Sequence, residues 1–107
     1  MKTLTLSLKK QWFDMIKAGV KKEEYREMKP YWTKRMMKNC IDFTDGNIRP
    51  CTAPKDYDRL VFTLGYPKAG DTERRLAFKN PKIRIGTGRL EWGAESGKNY
   101  FVITWEG

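Results

Sequence analysis

Histidine is absent from the chain, and cysteine occurs only twice. Without histidine there can be no Ser-His-Asp triad, no HExxH zinc site and no zinc finger with histidine ligands. Cys40 and Cys51 cannot complete a four-ligand zinc site alone, and they lack the CxxC spacing of a redox pair. We therefore predict no metal and no cofactor. Two free thiols are favoured, with a disulfide as the alternative.

Long apolar segments are absent as well. No run approaches the roughly 18–20 apolar residues that span a bilayer. Residues 1–10 alternate between apolar and polar side chains, which differs from the apolar core of a secretory signal. We expect neither a membrane partner nor secretion, and we predict a cytoplasmic location.

Positive charge and aromatic side chains are abundant. The 107 residues carry 22 Lys and Arg against 13 Asp and Glu, a formal net charge of +9, and 13% are aromatic. This length and composition predict a single domain over residues 1–107 with a hydrophobic core. The net charge favours polyanion partners, because binding them releases condensed counterions. The alternative is a surface that is basic throughout and has no such partner.

The first part of the chain predicts a strand followed by a helix. Leu4, Leu6 and Leu8 alternate with polar residues, as in a half-buried strand. The apolar spacing then becomes helical over residues 9–18. Gly19 ends this helix, because glycine readily adopts the left-handed backbone of a helix C-terminus.

A second strand and a second helix are expected next. The charged residues 21–27 predict a strand that returns beside the first. Pro30 precedes a short helix over residues 31–38, since proline is tolerated in the first turn of a helix. Residues 39–58 predict an irregular connection with a short strand near residues 40–43.

Short strands dominate the remainder of the chain. An interruption is expected at Asn80 and Pro81. The predicted strands are residues 59–66, 73–78, 82–85 and 100–105. The pattern favours a small α+β fold in which the strands curl into a barrel, because closure removes exposed edges. Two helices from the N-terminal half would flank that barrel.

The charged segment after Gly19 is the strongest candidate for chemistry. A lysine near a carboxylate can hold an anion or, when desolvated, transfer a proton. In a regular strand Lys21 would share a face with Glu23, so Lys21 and Glu24 converge only if Lys21 lies in the turn. The position of Gly19 favours that turn. The alternative is a solvated strand whose charges neutralise one another.

The same residues resemble the ASCH domain, a relative of the PUA domain. Gly19, Lys21, Glu24 and Arg26 match the spacing of its motif, and residues 100–103 resemble its aromatic last strand. Residues 23–32 are similar to a small bacterial or phage-like subgroup. The resemblance implies a small PUA-like β-barrel with flanking helices, and it implies recognition of RNA or a modified nucleoside in a basic cleft beside the barrel.

Part of the family has catalytic activity. Some relatives remove an acyl group from N4 of cytidine, and others are ribonucleases. The hydrolase branch uses a lysine, a threonine in the following strand and a downstream glutamate. Lys21 matches the lysine, whereas Glu24 stands in place of the threonine. Glu73, Glu91 and Glu95 are candidates for the downstream glutamate.

Aromatic residues among cations form the second group of candidates. Aromatic faces stack on bases while cations contact phosphates. Around helix two this combination occurs at Tyr25, Arg26, Tyr31, Trp32, Lys34 and Arg35. A third group surrounds Gly86 and Gly88, whose backbone could approach a phosphate: Arg84, Arg89 and Trp92. The alternatives are core packing of the Trp32 ring and an ordinary glycine turn.

These observations predict a nucleic-acid-binding domain, with RNA or another single strand as the partner and a modified nucleoside as a further ligand. The alternative is a small metal-independent hydrolase, either an N4-acylcytidine amidohydrolase or a ribonuclease, that uses Lys21 and Glu24. A protein-interaction domain is the second alternative.

Overall fold

The computed structural model describes the backbone of residues 1–41 and 48–107 and the side chains of residues 1–38 and 53–107. The chain divides into two compact units. Unit 1 comprises Met1–Glu24, Asp56–Lys82 and Ile103–Gly107, and unit 2 comprises Tyr25–Lys55 and Ile83–Val102. The single domain over residues 1–107 stays a prediction. The side chains of Cys40 and Cys51 lie outside the described residues, so their thiol state stays a prediction too.

Seven strands, two α-helices and one 3-10 turn make up the described backbone. The elements are β1 (Thr3–Leu8), α1 (Lys10–Lys17), β2 (Glu24–Glu27), α2 (Pro30–Met36), β3 (Met37–Ile41), β4 (Ile48–Pro54), β5 (Arg59–Leu64), β6 (Arg75–Thr87), the 3-10 turn (Leu90–Trp92) and β7 (Asn99–Glu106). Neither α-helix in this part of the chain has the length and apolar character needed to cross a membrane.

Five strands form one mixed sheet in the order β1-β5-β6-β7-β2, and β3 pairs with β4 separately. β1 runs parallel to β5, whereas β5 and β6 are antiparallel. Two helices with a mixed sheet confirm the α+β class. In the described backbone, β1 and β2 are the edge strands of this sheet, so the closed PUA-like barrel is not seen and stays a prediction.

The core of unit 1 forms on one face of β1 and β5. The predicted alternation in β1 is confirmed, because Leu4, Leu6 and Leu8 are buried. β5 lies between two strands and is buried over most of its length, as expected of an inner strand. The Phe62 ring lies 5.0 Å from Trp105 and 6.0 Å from Phe78 between centroids, in edge-on arrangements that aromatic pairs prefer.

Helix α1 covers part of this core because its apolar residues recur at helical spacing. Phe13 and Ile16 are buried, and the exposed side carries charged residues. Gly19 has φ +78°, the left-handed backbone predicted for the residue that ends the helix. The helix begins at Lys10 and ends at Lys17, within one residue of the predicted bounds.

Unit 2 has its own small cluster of buried side chains. Ala94, Tyr100 and Val102 form it, and the half-buried Tyr25 ring packs against it with its centroid 5.7 Å from that of Tyr100. The hydroxyl of Tyr25 accepts the backbone N–H of Arg89 at 3.0 Å. Tyr25 is therefore bound to its own unit at both its ring and its hydroxyl.

The strand after Gly19 was expected to lie beside β1, but this was wrong, because β2 is next to β7 at the other edge of the sheet. Two predictions about where strands begin and end were also wrong. Residues 39–58 were expected to be mostly irregular, but β4 occupies Ile48–Pro54 and pairs with β3. This pairing joins residues separated by a polar segment, and polarity had suggested a loop. The strand expected at residues 40–43 begins earlier, at Met37. Helix α2 therefore ends at Met36, before the predicted residue 38. Phe43 lies outside the described residues.

The second error concerns Asn80 and Pro81, which do not interrupt β6. The ladder between β5 and β6 ends at Lys79, so the missing N–H of Pro81 removes no hydrogen bond to β5. Asn80 adopts φ +49°, and its side-chain amide donates to Glu106 Oε2 at 2.9 Å. Asparagine tolerates this backbone better than most residues, which lets one strand continue where two were predicted.

We expect Gly88→Ala to destabilise the protein. A Cβ at Gly88 would lie 2.6 Å from the Tyr25 ring and 2.7 Å from the Ala94 Cβ, so packed groups would have to move. Overpacking of this kind costs about 1–3 kcal/mol of unfolding free energy, which urea denaturation would measure. Gly86→Ala is the control, because its Cβ would meet only the flexible end of Arg84. Equal losses in the two variants would contradict the packing argument.

Candidate functional site

The end of α1 places Lys21 beside the helix. The backbone N–H groups of Val20 and Lys21 both donate to the carbonyl oxygen of Met15, at 3.0 and 3.1 Å. Residues 21–23 precede β2, so Lys21 lies in the turn and not in the strand. This confirms the prediction that Lys21 can meet Glu24 only from the turn. The predicted strand over residues 21–27 is correspondingly shorter at its start.

Lys21 and Glu24 form a buried ion pair. The Lys21 Nζ atom lies 2.8 Å from Glu24 Oε1, and the two residues are only 2% and 6% exposed. The ammonium also lies 4.6 Å from the centroid of the Trp12 ring. A carboxylate and an aromatic face thus replace part of the water that a lysine normally keeps.

Burial limits what this pair can do in the conformation described. A substrate atom reaches Lys21 Nζ only if the surrounding side chains move. The low accessibility of the pair is typical of a structural ion pair. Its composition, a lysine beside a carboxylate, is typical of a proton-transfer site. Burial of Lys21 could not be read from the sequence, because Lys21 and Glu24 lie within a run of charged residues.

The second candidate region is the α2 patch, which consists of Arg26, Tyr31, Trp32, Lys34 and Arg35. The guanidinium carbons of Arg26 and Arg35 lie 4.9 and 5.6 Å from the Trp32 ring centroid. Tyr31 meets Trp32 edge-on, with 4.8 Å between centroids. The structure thus joins four of the predicted binding residues at the Trp32 ring, and Lys34 lies on the same helix.

Exposure differs among the members of the α2 patch. Tyr31 is 62% exposed, and Lys34 is also exposed. Trp32 is half-buried, so its ring is neither fully in the core nor free on the surface. Lys34 and Arg35 occupy the last turn of α2, where a cation interacts favourably with the helix dipole.

An acidic residue adjoins the α2 patch in sequence. Glu27 lies 3.4 Å from the ammonium groups of both Lys29 and Lys98. The hydrogen bond from Lys29 and the charges of Lys29 and Lys98 lower the pKa of Glu27. Desolvation alone would lower the pKa of Lys98, but the charges of Glu27 and Glu95 outweigh it and raise that pKa. This cluster was not singled out in the sequence.

The third predicted group lies near the end of β6. Arg89 Cζ is 4.9 Å from the Trp92 ring centroid, and its Nη1 atom is 3.4 Å from Glu91 Oε1. Arg84 is exposed in β6, and Gly86 lies within that strand instead of in a loop. The structure joins Arg89 with Trp92, and a phosphate contact by the backbone at Gly86 stays a prediction.

The three candidates for a downstream glutamate have different surroundings. Glu73 is exposed just before β6 in unit 1. Glu91 pairs with Arg89, and a Glu95 oxygen lies 3.9 Å from Lys98 Nζ, both in unit 2. Within the described residues, no three acidic, cysteine or histidine side chains lie together in a way that could hold a metal ion.

Unit 1 contains a cleft that was not predicted from the sequence. It has a volume of about 540 Å³ and is lined by Thr5, Arg59, Val61, Thr63, Thr72, Arg75 and Ala77. Its residues come from β1, β5, β6 and the turn before β6, and Thr5 in β1 is more than fifty residues from the others in the sequence. The only available signal was the alternation of hydroxyl side chains with leucines in β1.

We expect Glu24→Gln to destabilise the protein by about 3–5 kcal/mol, because the buried Lys21 ammonium would lose the negative charge of Glu24. The double variant Lys21→Met/Glu24→Leu should recover much of that loss, since it removes both charges. Urea denaturation of each variant gives the comparison. The control is Asp14→Asn, which breaks the exposed Lys10–Asp14 pair in α1 and should cost less than about 1 kcal/mol. A Glu24→Gln loss as small as that of the control would refute desolvation of the buried pair.

Comparisons of the chain with protein-family models, with curated proteins and with solved structures found no match. The resemblance to the ASCH family therefore stays a prediction that rests on the motif residues alone.

Proposed function

We propose that this protein binds single-stranded RNA through the α2 patch. The observation that carries the proposal is the arrangement of two guanidinium groups around the Trp32 ring, with the exposed Tyr31 ring against its edge. Binding of single strands combines aromatic rings that stack on bases with cations that contact the phosphates. The α2 patch supplies both within one short helix and the neighbouring strand.

Tyr31 is the group best suited to stack on a base. It is 62% exposed, and its contact with Trp32 restricts the orientations of its ring. A ring held in place loses less conformational entropy on binding than a mobile one. Stacking of this kind contributes about 1–3 kcal/mol per base.

Arg26, Lys34 and Arg35 are suited to contact the phosphates. The guanidinium groups of both arginines lie over the Trp32 ring, and the planar guanidinium matches the geometry of phosphate oxygens. The net charge of +9 adds a long-range attraction to any polyanion.

The motif residues of the ASCH resemblance support RNA over DNA. Under this proposal the chain is a single ASCH or PUA-like domain whose strands complete the family's barrel, and a modified nucleoside is a further ligand. The lysine position of the motif is kept, whereas Glu24 replaces the threonine of the hydrolase branch. This departure favours binding as the main function.

We expect Tyr31→Ala to weaken binding of a mixed-sequence single-stranded RNA by about fivefold to a hundredfold, the equivalent of one lost base stack. Quenching of tryptophan fluorescence during titration would report the affinity. Tyr66→Ala is the matched control, because Tyr66 is 95% exposed and lies in unit 1. Equal effects of the two substitutions, or no RNA binding by the unmodified protein at low salt, would refute the proposal.

The charges of the α2 patch are tested by the salt dependence of the same titration. Replacing Lys34 and Arg35 together by Gln should lower the slope of log affinity against log salt by about 1.4, or about 0.7 for each lost phosphate contact. Lys9→Gln/Lys17→Gln removes the same charge from exposed positions at the two ends of α1. If this control changes the slope as much, phosphates do not contact α2 specifically.

A second candidate function is metal-independent hydrolysis of an acylated cytidine or of RNA. The observation in its favour is the buried Lys21–Glu24 pair, because desolvated ion pairs are a frequent source of proton-transfer groups. In this role Glu24 would take a proton from the attacking water and Lys21 would give a proton to the leaving group as its bond to the acyl or phosphoryl centre breaks; proton transfer from Glu24 to Lys21 would then restore the pair. Opening of the side chains over Lys21 would have to precede the reaction.

Release of cytidine from N4-acetylcytidine tests this candidate. If the pair is catalytic, Lys21→Arg should keep the charge and lose most of the turnover, because a guanidinium does not give up its proton. A folded Lys21→Arg variant with full turnover would remove Lys21 from the mechanism. Absence of turnover in the unmodified protein, on this substrate and on single-stranded RNA, would remove the hydrolase.

A further inference from the structure

The polar face of the sheet in unit 1 has an unusual composition. The strand register aligns three rows across β1, β5 and β6: Thr3, Arg59 and Lys79; Thr5, Val61 and Ala77; Ser7, Thr63 and Arg75. Partners in a row point to the same face, and the leucines of β1 and β5 occupy the other face. The face thus carries four hydroxyl groups, three cations and no carboxylate.

The middle of this face is the cleft of about 540 Å³, here called the Thr–Arg cleft and defined by its seven lining residues. Val61 and Ala77 form an apolar floor at its centre. The hydroxyl residues Thr5, Thr63 and Thr72 and the two arginines stand around that floor. A volume in this range accommodates a small organic ligand.

Arg75 is fixed in position at one end of the Thr–Arg cleft. Its Nη1 atom donates to the carbonyl oxygens of Lys68 and Asp71 at 2.9 and 2.6 Å, and Nη2 donates to Pro67 at 3.2 Å. These acceptors are neutral carbonyls, so the positive charge of Arg75 is not cancelled by them. The carboxylate of Asp71 lies 3.5 Å from Arg74 Nε.

Arg59 differs from Arg75. Its side chain is exposed and makes no hydrogen bond or ion pair within the described residues. Within that part of the chain, no acceptor competes with an incoming anion for the five guanidinium donors. Arg59 and Thr63 lie four residues apart in β5, which separates their rows by about 13 Å.

We propose that the Thr–Arg cleft binds a phosphate ester of a nucleoside. Arg59 forms charge-assisted hydrogen bonds to the phosphate, and the ring system lies on Val61 and Ala77. The Thr72 hydroxyl donates to a sugar or base oxygen, whereas the Thr63 hydroxyl already donates to the Gly65 carbonyl oxygen at 2.8 Å and accepts from the ligand. Arg75 adds positive charge at the opposite end. Carboxylates are absent from the lining, so none of the lining side chains repels a phosphate. The proposal involves unit 1 alone and does not depend on the α2 patch.

The experiment is a titration of the full-length chain with adenosine monophosphate, adenosine, inorganic phosphate and a single-stranded RNA oligonucleotide. Backbone amide shifts of Thr5, Thr63 and Ala77 report occupation of the cleft. Two variants separate its parts. Arg59→Gln removes the phosphate contact, and Ala77→Leu fills the floor without changing the charge. Lys17→Gln is the control, because it removes one exposed charge from α1.

We expect adenosine monophosphate to shift the cleft amides and to bind at least about fivefold more weakly to Arg59→Gln and to Ala77→Leu, as expected for the loss of one charge-assisted hydrogen bond or of the floor. Lys17→Gln should change its affinity less than about twofold. A second result would also support the proposal: the mononucleotide does not bind, but the oligonucleotide shifts the cleft amides and both variants weaken its binding. The phosphate ester recognised by the cleft would then be part of an RNA strand.

Two results would overturn the proposal. One is binding of inorganic phosphate as tight as that of the mononucleotide and unaffected by Ala77→Leu, which would leave no role for the nucleoside. The other is that neither the mononucleotide nor the oligonucleotide distinguishes the two cleft variants from Lys17→Gln. Loss of RNA binding in Tyr31→Ala alone would concern only the α2 patch, so failure of one proposal is separable from failure of the other.

Discussion

The period of two residues along a strand determines what each side of unit 1 can do. In β1 and β5 the leucines and Phe62 point to one face and form a core with Phe78 and Trp105. The same alternation directs hydroxyl and cationic side chains to the other face, where β5 and β6 align them into rows. Moving the register by one residue would exchange the two faces, so the hydrophobic core and the cleft depend on the same pairing.

Lys21 and the arginines of the α2 patch show how the surroundings of a cation decide its role. Lys21 is nearly inaccessible, and its energetics are dominated by desolvation and by Glu24. Arg26 and Arg35 contact the Trp32 ring in a region that keeps an exposed tyrosine. Each case combines a cation with a tryptophan, yet only the second includes an exposed aromatic ring, that of Tyr31. This difference favours binding over hydrolysis.

Local patterns in the sequence predicted β1, α1 and the turn that holds Lys21, because alternation, helical spacing and a left-handed glycine act within a few residues. The grouping of Tyr31, Trp32 and Arg35 was predictable for the same reason, since all three belong to one short helix. The continuity of β6 was not predictable from the sequence, because it depends on where the pairing of β5 with β6 ends, which is at Arg59 and Lys79. The Thr–Arg cleft also required knowledge of strand register between segments more than fifty residues apart in the sequence. The burial of Lys21 depends on packing around it, which charge patterning does not reveal.

The ion pairs of Glu27 have a consequence for how the region around α2 responds to its surroundings. The lowered pKa of Glu27 and the raised pKa of Lys98 keep both groups charged over a wider range of pH than they would be alone. The side chain that ordinarily titrates between pH 5 and 8 is histidine, and the chain has none. The charge pattern beside α2 is therefore nearly constant under physiological conditions. Ionic strength, rather than proton concentration, is the variable that would regulate its interactions.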